Sequence, residues 1–360
     1  MVTSTTPVED QDRRSELSGP RVAGWAAMAV GRPLEPLTYD APPLGEHDVR
    51  VAVSHCGLCF TDIQAIDDYY GITAYPFVPG HEIVGFVDAR GSGVSELEIG
   101  ERVGIGWQGR CCGRCAWCIR GEEQLCSEIA DAGTWEHHGG FASSVTVDAG
   151  FAYPLPEALP SDVAAVLMCA GISVYAPLRT YAAAARRSVG IYGVGGLGHL
   201  AIQFAHALGC EVTALSSSPA KEPEARALGA DSFIATGDRA RMRPLDYAFD
   251  IVLCTAHGDI DWEELLMTLD KRGRLVLVGF PGVSMNSTDL VAHELSVTGS
   301  FIGNRATMRE MLAFAEEHAI TPRIEQLPMP RVNQAIERLK ENRVRYRLVL
   351  TQAAPRGRAS

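Results

Sequence analysis

Gly193-Val194-Gly195-Gly196-Leu197-Gly198 is the stretch that decides the fold. The run from Ser188 to Tyr192 before it reads as a buried strand. Residues His199 to Leu208 read as a helix that Gly209 ends, and Cys210 to Leu215 as a second strand. Three glycines at this spacing occur by chance in any glycine-rich chain, so the flanking strand, helix and strand carry the reading. In that setting the first glycine permits a tight turn and the second lets a pyrophosphate approach the backbone. The third lets helix and strand pack closely, while the helix N-terminus faces the phosphates. The alternative is a glycine-rich turn in an ordinary strand–helix–strand unit. The reading taken is a dinucleotide site floored by Gly193, Gly195, Gly196, Leu197 and Gly198.

The end of the second strand chooses the dinucleotide. An NAD site usually places Asp or Glu there to hold the ribose 2′-hydroxyl. This chain places Ser216-Ser217-Ser218, with Lys221 just beyond. Hydroxyls and an ammonium suit a 2′-phosphate, which a carboxylate would repel. The alternative is a polar loop with a solvated lysine. The expected cofactor is NADP(H).

The chain has 360 residues, long for one domain, so two are expected. It is 46% hydrophobic and 21% charged, ordinary for a globular enzyme. Its net charge of -12, from 32 basic and 44 acidic residues, argues against nucleic acid or an anionic membrane as partner. No apolar run of transmembrane length is read, and Met1 to Arg21 lacks the apolar core of a signal peptide. That stretch is expected to be a disordered extension, as is the tail over residues 353–360. A cytoplasmic location follows, in which ten cysteines favour metal sites and free thiols over disulfides.

Residues 26–53 read as short strands and turns, with alternation over Asp48 to Val53; further strands are expected at Ile83 to Val87 and after Gly100-Glu101. From about Asp162 the pattern becomes strand–helix alternation, typical of a doubly wound parallel sheet. Strands are expected at Asp250 to Leu253, Arg274 to Val278 and Leu295 to Ser300. A helix over Thr307 to Ala319 and the segment Val332 to Leu350 would return to the first domain.

Cys112-x2-Cys115-x2-Cys118-x7-Cys126 is the strongest local signal. Four thiolates on a short loop suit tetrahedral zinc, and a filled ligand set makes the role structural. An iron–sulfur cluster or disulfides are the alternatives. Cys111 abuts the motif but breaks its even spacing. Cys59, His81 and Cys169 are dispersed, and spacing alone does not bring them together. A buried Cys is usually a small hydrophobe, and Cys56 with Cys59 also reads as a redox pair suited to another fold. Cys210 and Cys254 read as core. His199, at the helix start, reads equally as a structural residue or a phosphate contact.

Cys59-Phe60-Thr61-Asp62, Gly80-His81-Glu82, the four-cysteine loop, Leu167-Met168-Cys169-Ala170-Gly171 and the glycine motif follow one another in a familiar order. The chain resembles the zinc-dependent medium-chain dehydrogenases. Ser216-Ser217-Ser218-Pro219 with Lys221, Ser300-Phe301-Ile302-Gly303 and Val344-Arg345-Tyr346-Arg347 mark a resemblance to the cinnamyl alcohol dehydrogenase branch. It spans roughly residues 26–350. It implies a GroES-like β-rich catalytic domain (residues 22–167 and 304–352) and a Rossmann cofactor domain (residues 168–303). It also implies two zinc ions per chain, NADP(H), an aldehyde or alcohol substrate and a homodimer. Cys59, His81 and Cys169 would bind a catalytic zinc with one position open. Thr61 would pass a proton to the substrate oxygen, Asp62 would fix the tautomer of His81, and Glu82 would be the acid beside the metal.

Two positions depart from the family. Phe60 stands where relatives often have His or Arg facing the cofactor phosphates, and Gln64 where a relay His often stands. Trp107, Trp135, His137, His138 and Phe301 are candidate pocket residues, with Trp107, Trp135 and Phe301 kept as the substrate wall. The expected activity is reduction of aromatic or medium-sized apolar aldehydes with NADPH. Two rivals stand beside it: reduction of a C=N or conjugated C=C bond, motivated by Gln64, and a nucleotide-binding protein without turnover.

Overall fold

Val189 and Ile191 are fully buried, and so are Val212 and Ala214, which lie opposite them on a parallel strand. Between the two strands runs the helix Gly198–Ala207, which buries Leu200, Ile202 and Phe204. Gly209 ends it in the left-handed region (φ 81°). The computed structural model describes residues 19–133, 137–182, 187–237, 242 and 245–352. Trp135 and the tail over 353–360 therefore lie outside the described residues.

Six parallel strands form one sheet, in the order Ser232–Ala235, Glu211–Ser216, Ser188–Tyr192, Phe249–Cys254, Leu269–Leu277, Ser296–Gly299. In chain order this is third, second, first, fourth, fifth, sixth, the doubly wound arrangement. Its order reverses between Ser188–Tyr192 and Phe249–Cys254, so a crevice opens beyond the carboxyl ends of those strands, where the glycine motif lies.

A second sheet of seven strands is almost wholly antiparallel. Its spine is Asp48–Leu58, paired with Glu82–Arg90 on one edge and Arg347–Thr351 on the other. That spine runs past the alternation seen over Asp48 to Val53, because Cys56, Gly57 and Leu58 are all buried and leave no period to read. Helix Val332–Lys340 and strand Arg347–Thr351 return to this sheet, as expected. Of the expected extension over residues 1–21, residues 1–18 lie outside the described residues, and its last part is ordered. Arg21 opens a strand, Arg21–Ala26, paired with Glu35–Asp40, and the Pro20 carbonyl accepts from Ala41 N (2.9 Å).

Ser161–Tyr181 is one continuous helical stretch of 21 residues, within which an 18-residue window has mean hydropathy 1.5. By length and composition it could cross a membrane, contrary to the expectation that no run would, but 72% of that window is buried inside the fold. Its apolar residues, including Val163, Met168, Ile172 and Tyr175, form one core with both sheets. The helix is the spindle on which the two halves are mounted.

Candidate active site

Cys59 follows the spine strand and starts the short helix Phe60–Ile66. Asp62, one turn on and fully buried, accepts from Cys59 N through Oδ2 (2.8 Å). Its Oδ1 accepts from His81 Nδ1 (2.8 Å) and from Gly80 N (3.1 Å). A carboxylate only accepts, so the Nδ1 proton of His81 points to Asp62 and the Nε2 lone pair is free for a metal. Gly80 has φ 103°, and a Cβ there would come within 2.6 Å of Phe141 Cδ1. Only glycine brings His81 into this position.

Cys169 arrives from the spindle helix. Between Ser161–Val166 and Ile172–Tyr181 the backbone takes one π-helical turn, Leu167–Gly171. The extra residue rotates Cys169 relative to a regular helix, a device frequent at functional sites. Ligand-type atoms of Cys59, His81, Glu82 and Cys169 all lie within 4.8 Å of one another. Donors of a tetrahedral zinc stand about 3.3–3.8 Å apart, so the set fits the ion with little adjustment. A hydrogen bond from Cys169 holds the Cys59 thiol well below its usual pKa, and the same bond pushes that of Cys169 up.

Glu82 adds the acid. One oxygen, Oε1, accepts from Arg347 of the strand Arg347–Thr351; the other, Oε2, is buried with no partner. Burial pushes the carboxyl up to about 7 while the Arg347 guanidinium pulls it down. An orphaned carboxylate oxygen beside two thiols and an imidazole is what a bound cation would satisfy. Arg347 is a residue that sequence reading missed. Its signal was a cation directly ahead of the apolar run Leu348-Val349-Leu350, facing a buried acid that needs a counter-charge.

Cys112, Cys115, Cys118 and Cys126 form the second cluster, again within 4.8 Å, with Cys111 outside it. Backbone amides point at its sulfurs: Cys115 N at Cys112 (3.4 Å), Cys118 N at Cys115 (3.5 Å) and Glu128 N at Cys126 (3.4 Å). Such amides favour thiolates, and amide hydrogen bonds bring the Cys112 pKa down to about 6. The cluster fits a structural zinc. Directly before Cys126, Glu122, Gln124 and Leu125 reach the main cleft.

That cleft holds about 1720 Å³ and runs between the two halves. Its walls include Cys59, Thr61, His81 and Cys169 at one end, Gly193 to Leu197 in the middle, and Ser216, Ser217 and Lys221 beyond. Gly195 has open space where a Cβ would be. Gly198 has none: its Cβ would stand 1.8 Å from Gly193 O, so the third glycine closes the turn on itself rather than packing helix on strand. The cradle fits a pyrophosphate on the helix N-terminus. Lys221 Nζ donates to Val194 O (2.6 Å), Ser217 is exposed, and Ser218 N donates to Ser216 Oγ (3.3 Å). Ser218 is not on the cleft wall.

Trp107 and Phe301 meet edge to face (5.1 Å between ring centroids) on the wall of the same cleft, which Tyr70 and Phe280 also line. Thr61 Oγ1 lies 3.6 Å from Cys59 Sγ. Gln64 Oε1 accepts from the Tyr70 hydroxyl (3.1 Å), and Phe60 stacks on His257 across the cleft (6.4 Å). One sequence reading changes, and open ones close. His137 pairs with Asp131 (3.1 Å), and His138 accepts from Val78 N against Tyr39, so neither lines the cleft. His199 takes the structural role: fully buried, it bonds Gly195 O (2.9 Å) and Arg323 N (3.3 Å) and stacks on Tyr346. Cys56 is fully buried core and a free thiol; Cys210 and Cys254 are buried too, as expected.

Residues 45–157 match the alcohol dehydrogenase GroES-like domain, and residues 196–317 match the zinc-binding dehydrogenase family. The chain belongs to the zinc-dependent medium-chain dehydrogenases, oxidoreductases that act on CH–OH groups. Within them it belongs to the cinnamyl alcohol dehydrogenase branch. NADP-dependent alcohol dehydrogenase C of Mycobacterium bovis is 39% identical over 343 residues, 92% of this chain and 99% of the relative. Aldehyde reductase AdhA of Synechocystis is 35% identical over 92% of this chain and 99% of its own length. The structure of a cinnamyl alcohol dehydrogenase from Sorghum bicolor superposes with a TM-score of 0.88 at 37% identity, covering 92% of this chain and 98% of that one.

Proposed function

We propose that this chain is an NADP(H)-dependent zinc alcohol dehydrogenase working mainly as an aldehyde reductase. One observation carries the reading. A single cleft joins the serine–lysine end, the glycine cradle, the Cys59–His81–Cys169 cluster and the Trp107–Phe301 wall. When bound, zinc supplies Lewis acidity toward the carbonyl oxygen and NADPH supplies the hydride. The chain's residues do the rest. Cys59, His81 and Cys169 would hold the metal, Asp62 orients the imidazole, and Glu82, pinned by Arg347, keeps a free oxygen beside the set. Thr61 Oγ1 relays a proton to the substrate oxygen and takes its replacement from solvent, completing the alcohol. Trp107 and Phe301, packed edge to face, give the cleft an apolar wall against which a planar or apolar aldehyde lies.

Cys112, Cys115, Cys118 and Cys126 hold the structural zinc. We divide the chain into a catalytic domain, 22–167 with 304–352, and a cofactor domain, 168–303; the first boundary falls within the π-turn. The acidic charge and the free thiols support a cytoplasmic location. A homodimer through Ser296–Gly299 is supported by the position of that strand at the sheet edge, with Val297 exposed.

The Tyr70–Gln64 bond favours one second reading, reduction of a C=N bond. Residue 64 carries no exchangeable proton there, and an iminium needs none after hydride arrives. Oxidation of NADPH, with NADH in parallel, is to be followed against aldehydes, conjugated enals and cyclic imines, for the native chain and Thr61→Val. Fast aldehyde turnover that Thr61→Val cuts by about a hundredfold supports the reductase reading. Turnover of imines alone, little changed by Thr61→Val, would replace it.

A further inference from the structure

Lys221 and Arg345 approach one aromatic ring from different parts of the chain. Lys221 Nζ stands 5.4 Å from the Tyr346 ring centroid and the Arg345 guanidinium carbon 5.5 Å from it. Both line the main cleft beside Ser216 and Ser217. The charges here do not balance. Buried Glu224 of helix Glu222–Ala227 is the shared acid, taking Arg345 (Nη2 2.5 Å, Nε 3.0 Å), Arg323 (2.5 Å) and the Tyr346 hydroxyl. Lys221 is left with a neutral partner, the Val194 carbonyl. The neighbouring acids are spent elsewhere: Glu325 pairs with Arg338 and accepts from Arg345 N, and Glu222 pairs with Arg226. Two guanidiniums thus share one carboxylate and the ammonium has none, three cations against one acid.

We infer that Arg345 is a second cationic contact for the 2′-phosphate of NADP(H), closing from the catalytic side a site that Ser217 and Lys221 open from the cofactor side. The inference rests on the NADP(H) reading above. A phosphate monoester carries between one and two negative charges near neutral pH, which matches the excess. Burial and then the Arg345 charge depress the Lys221 pKa, a strain that an anion between the two would relieve. Arg345 comes from the segment ahead of the catalytic-sheet strand Arg347–Thr351, whereas Lys221 belongs to the parallel sheet's connections. The phosphate would therefore tie the two domains together, and NAD(H), without it, would not.

The test compares Arg345→Gln, Glu224→Gln and Lys221→Ala by KM for NADPH and NADH and by inhibition with adenosine 2′,5′-bisphosphate, using 5′-AMP as control. Arg345→Gln should weaken NADPH and the bisphosphate about tenfold or more, with KM for NADH and inhibition by 5′-AMP moving less than twofold. Glu224→Gln frees Arg345 and should leave bisphosphate binding unchanged or tighter. Equal weakening of both cofactors by Arg345→Gln, or no weakening, overturns the inference. So does weaker bisphosphate binding in Glu224→Gln, which would make the cluster a structural latch. Arg345→Lys, which keeps the charge without the fork, should fall between native and Gln, and it decides the matter if Gln does not fold. A native chain indifferent to the bisphosphate, with Lys221→Ala equally indifferent, refutes the NADP(H) reading itself. Loss of preference in Lys221→Ala but not in Arg345→Gln refutes only this extension.

Discussion

Asp62→Asn is the sharpest perturbation of the catalytic cluster, because it changes two protons and a charge while preserving shape. The aspartate accepts three hydrogen bonds, from His81 Nδ1, Cys59 N and Gly80 N. An amide offers one oxygen and one NH2 group. With the oxygen toward His81 and Gly80, the Cys59 amide faces a donor; with the amide flipped, His81 and Gly80 both do. The first arrangement is the cheaper, leaving one buried donor unpaired at about 1–3 kcal/mol and replacing two charge-assisted bonds by neutral ones. Because Cys59 and His81 are themselves the metal-type ligands, that cost falls on metal affinity, by about tenfold to a hundredfold. Zinc transfer to a chelator measures it, with the four-cysteine cluster in the same molecule as reference. One ion per chain should leave Asp62→Asn much faster than it leaves the native enzyme, and aldehyde turnover should fall with it. Native release of both ions, with kcat within twofold, would refute the role given to Asp62.

Two glycines separated by three positions should respond in opposite ways. Gly195→Ala adds a methyl to open space, so the fold should melt within a few degrees of native while NADPH binds about tenfold or more weakly. Gly198→Ala drives a methyl into Gly193 O, so loss of folded protein in a urea titration is expected before any cofactor effect. Stability should also depend on acid through His199, whose burial brings its pKa down to about 4 from an ordinary 6.5. The unfolded chain binds the proton first, so the contribution is complete above pH 6.5 and lost as pH falls through about 4. The loss amounts to about 3 kcal/mol. Urea midpoints across that window should fall for the native chain and stay flatter for His199→Gln; parallel curves would exclude the assignment.

Most of the parallel sheet was legible, because runs such as Ile251-Val252-Leu253 and Leu275-Val276 are apolar and buried, and the glycine motif marks the first turn; the short strand Ser232–Ala235 went unread. The four-cysteine loop was legible because its ligands are local. What sequence could not yield was the meeting of Cys59, His81 and Cys169, which depends on a π-turn with no compositional mark. Resemblance supplied it, and the geometry brings the three together. The His137 and His138 misreading had a different origin. A histidine in a glycine-rich loop carries no mark of the side it faces: His138 packs on Tyr39 and His137 pairs with Asp131, both away from the main cleft. Arg345 and Arg347 were read only as a branch signature, because their partners, Glu224 and Glu82, are more than a hundred residues away.

The strand Arg347–Thr351 lies between Ile324–Pro328 and the spine Asp48–Leu58, and it carries the guanidinium that neutralises Glu82. The whole parallel sheet is encoded before it. On the ribosome, therefore, the antiparallel sheet emerges first yet waits for its neighbour to be synthesised before it can close. Until then Glu82 has no counter-charge, and the Asp48–Leu58 edge is open to pairing with other nascent chains. Competence for chemistry is thereby deferred to the end of translation, and truncated products would be left with an exposed sheet edge in place of a partly working enzyme.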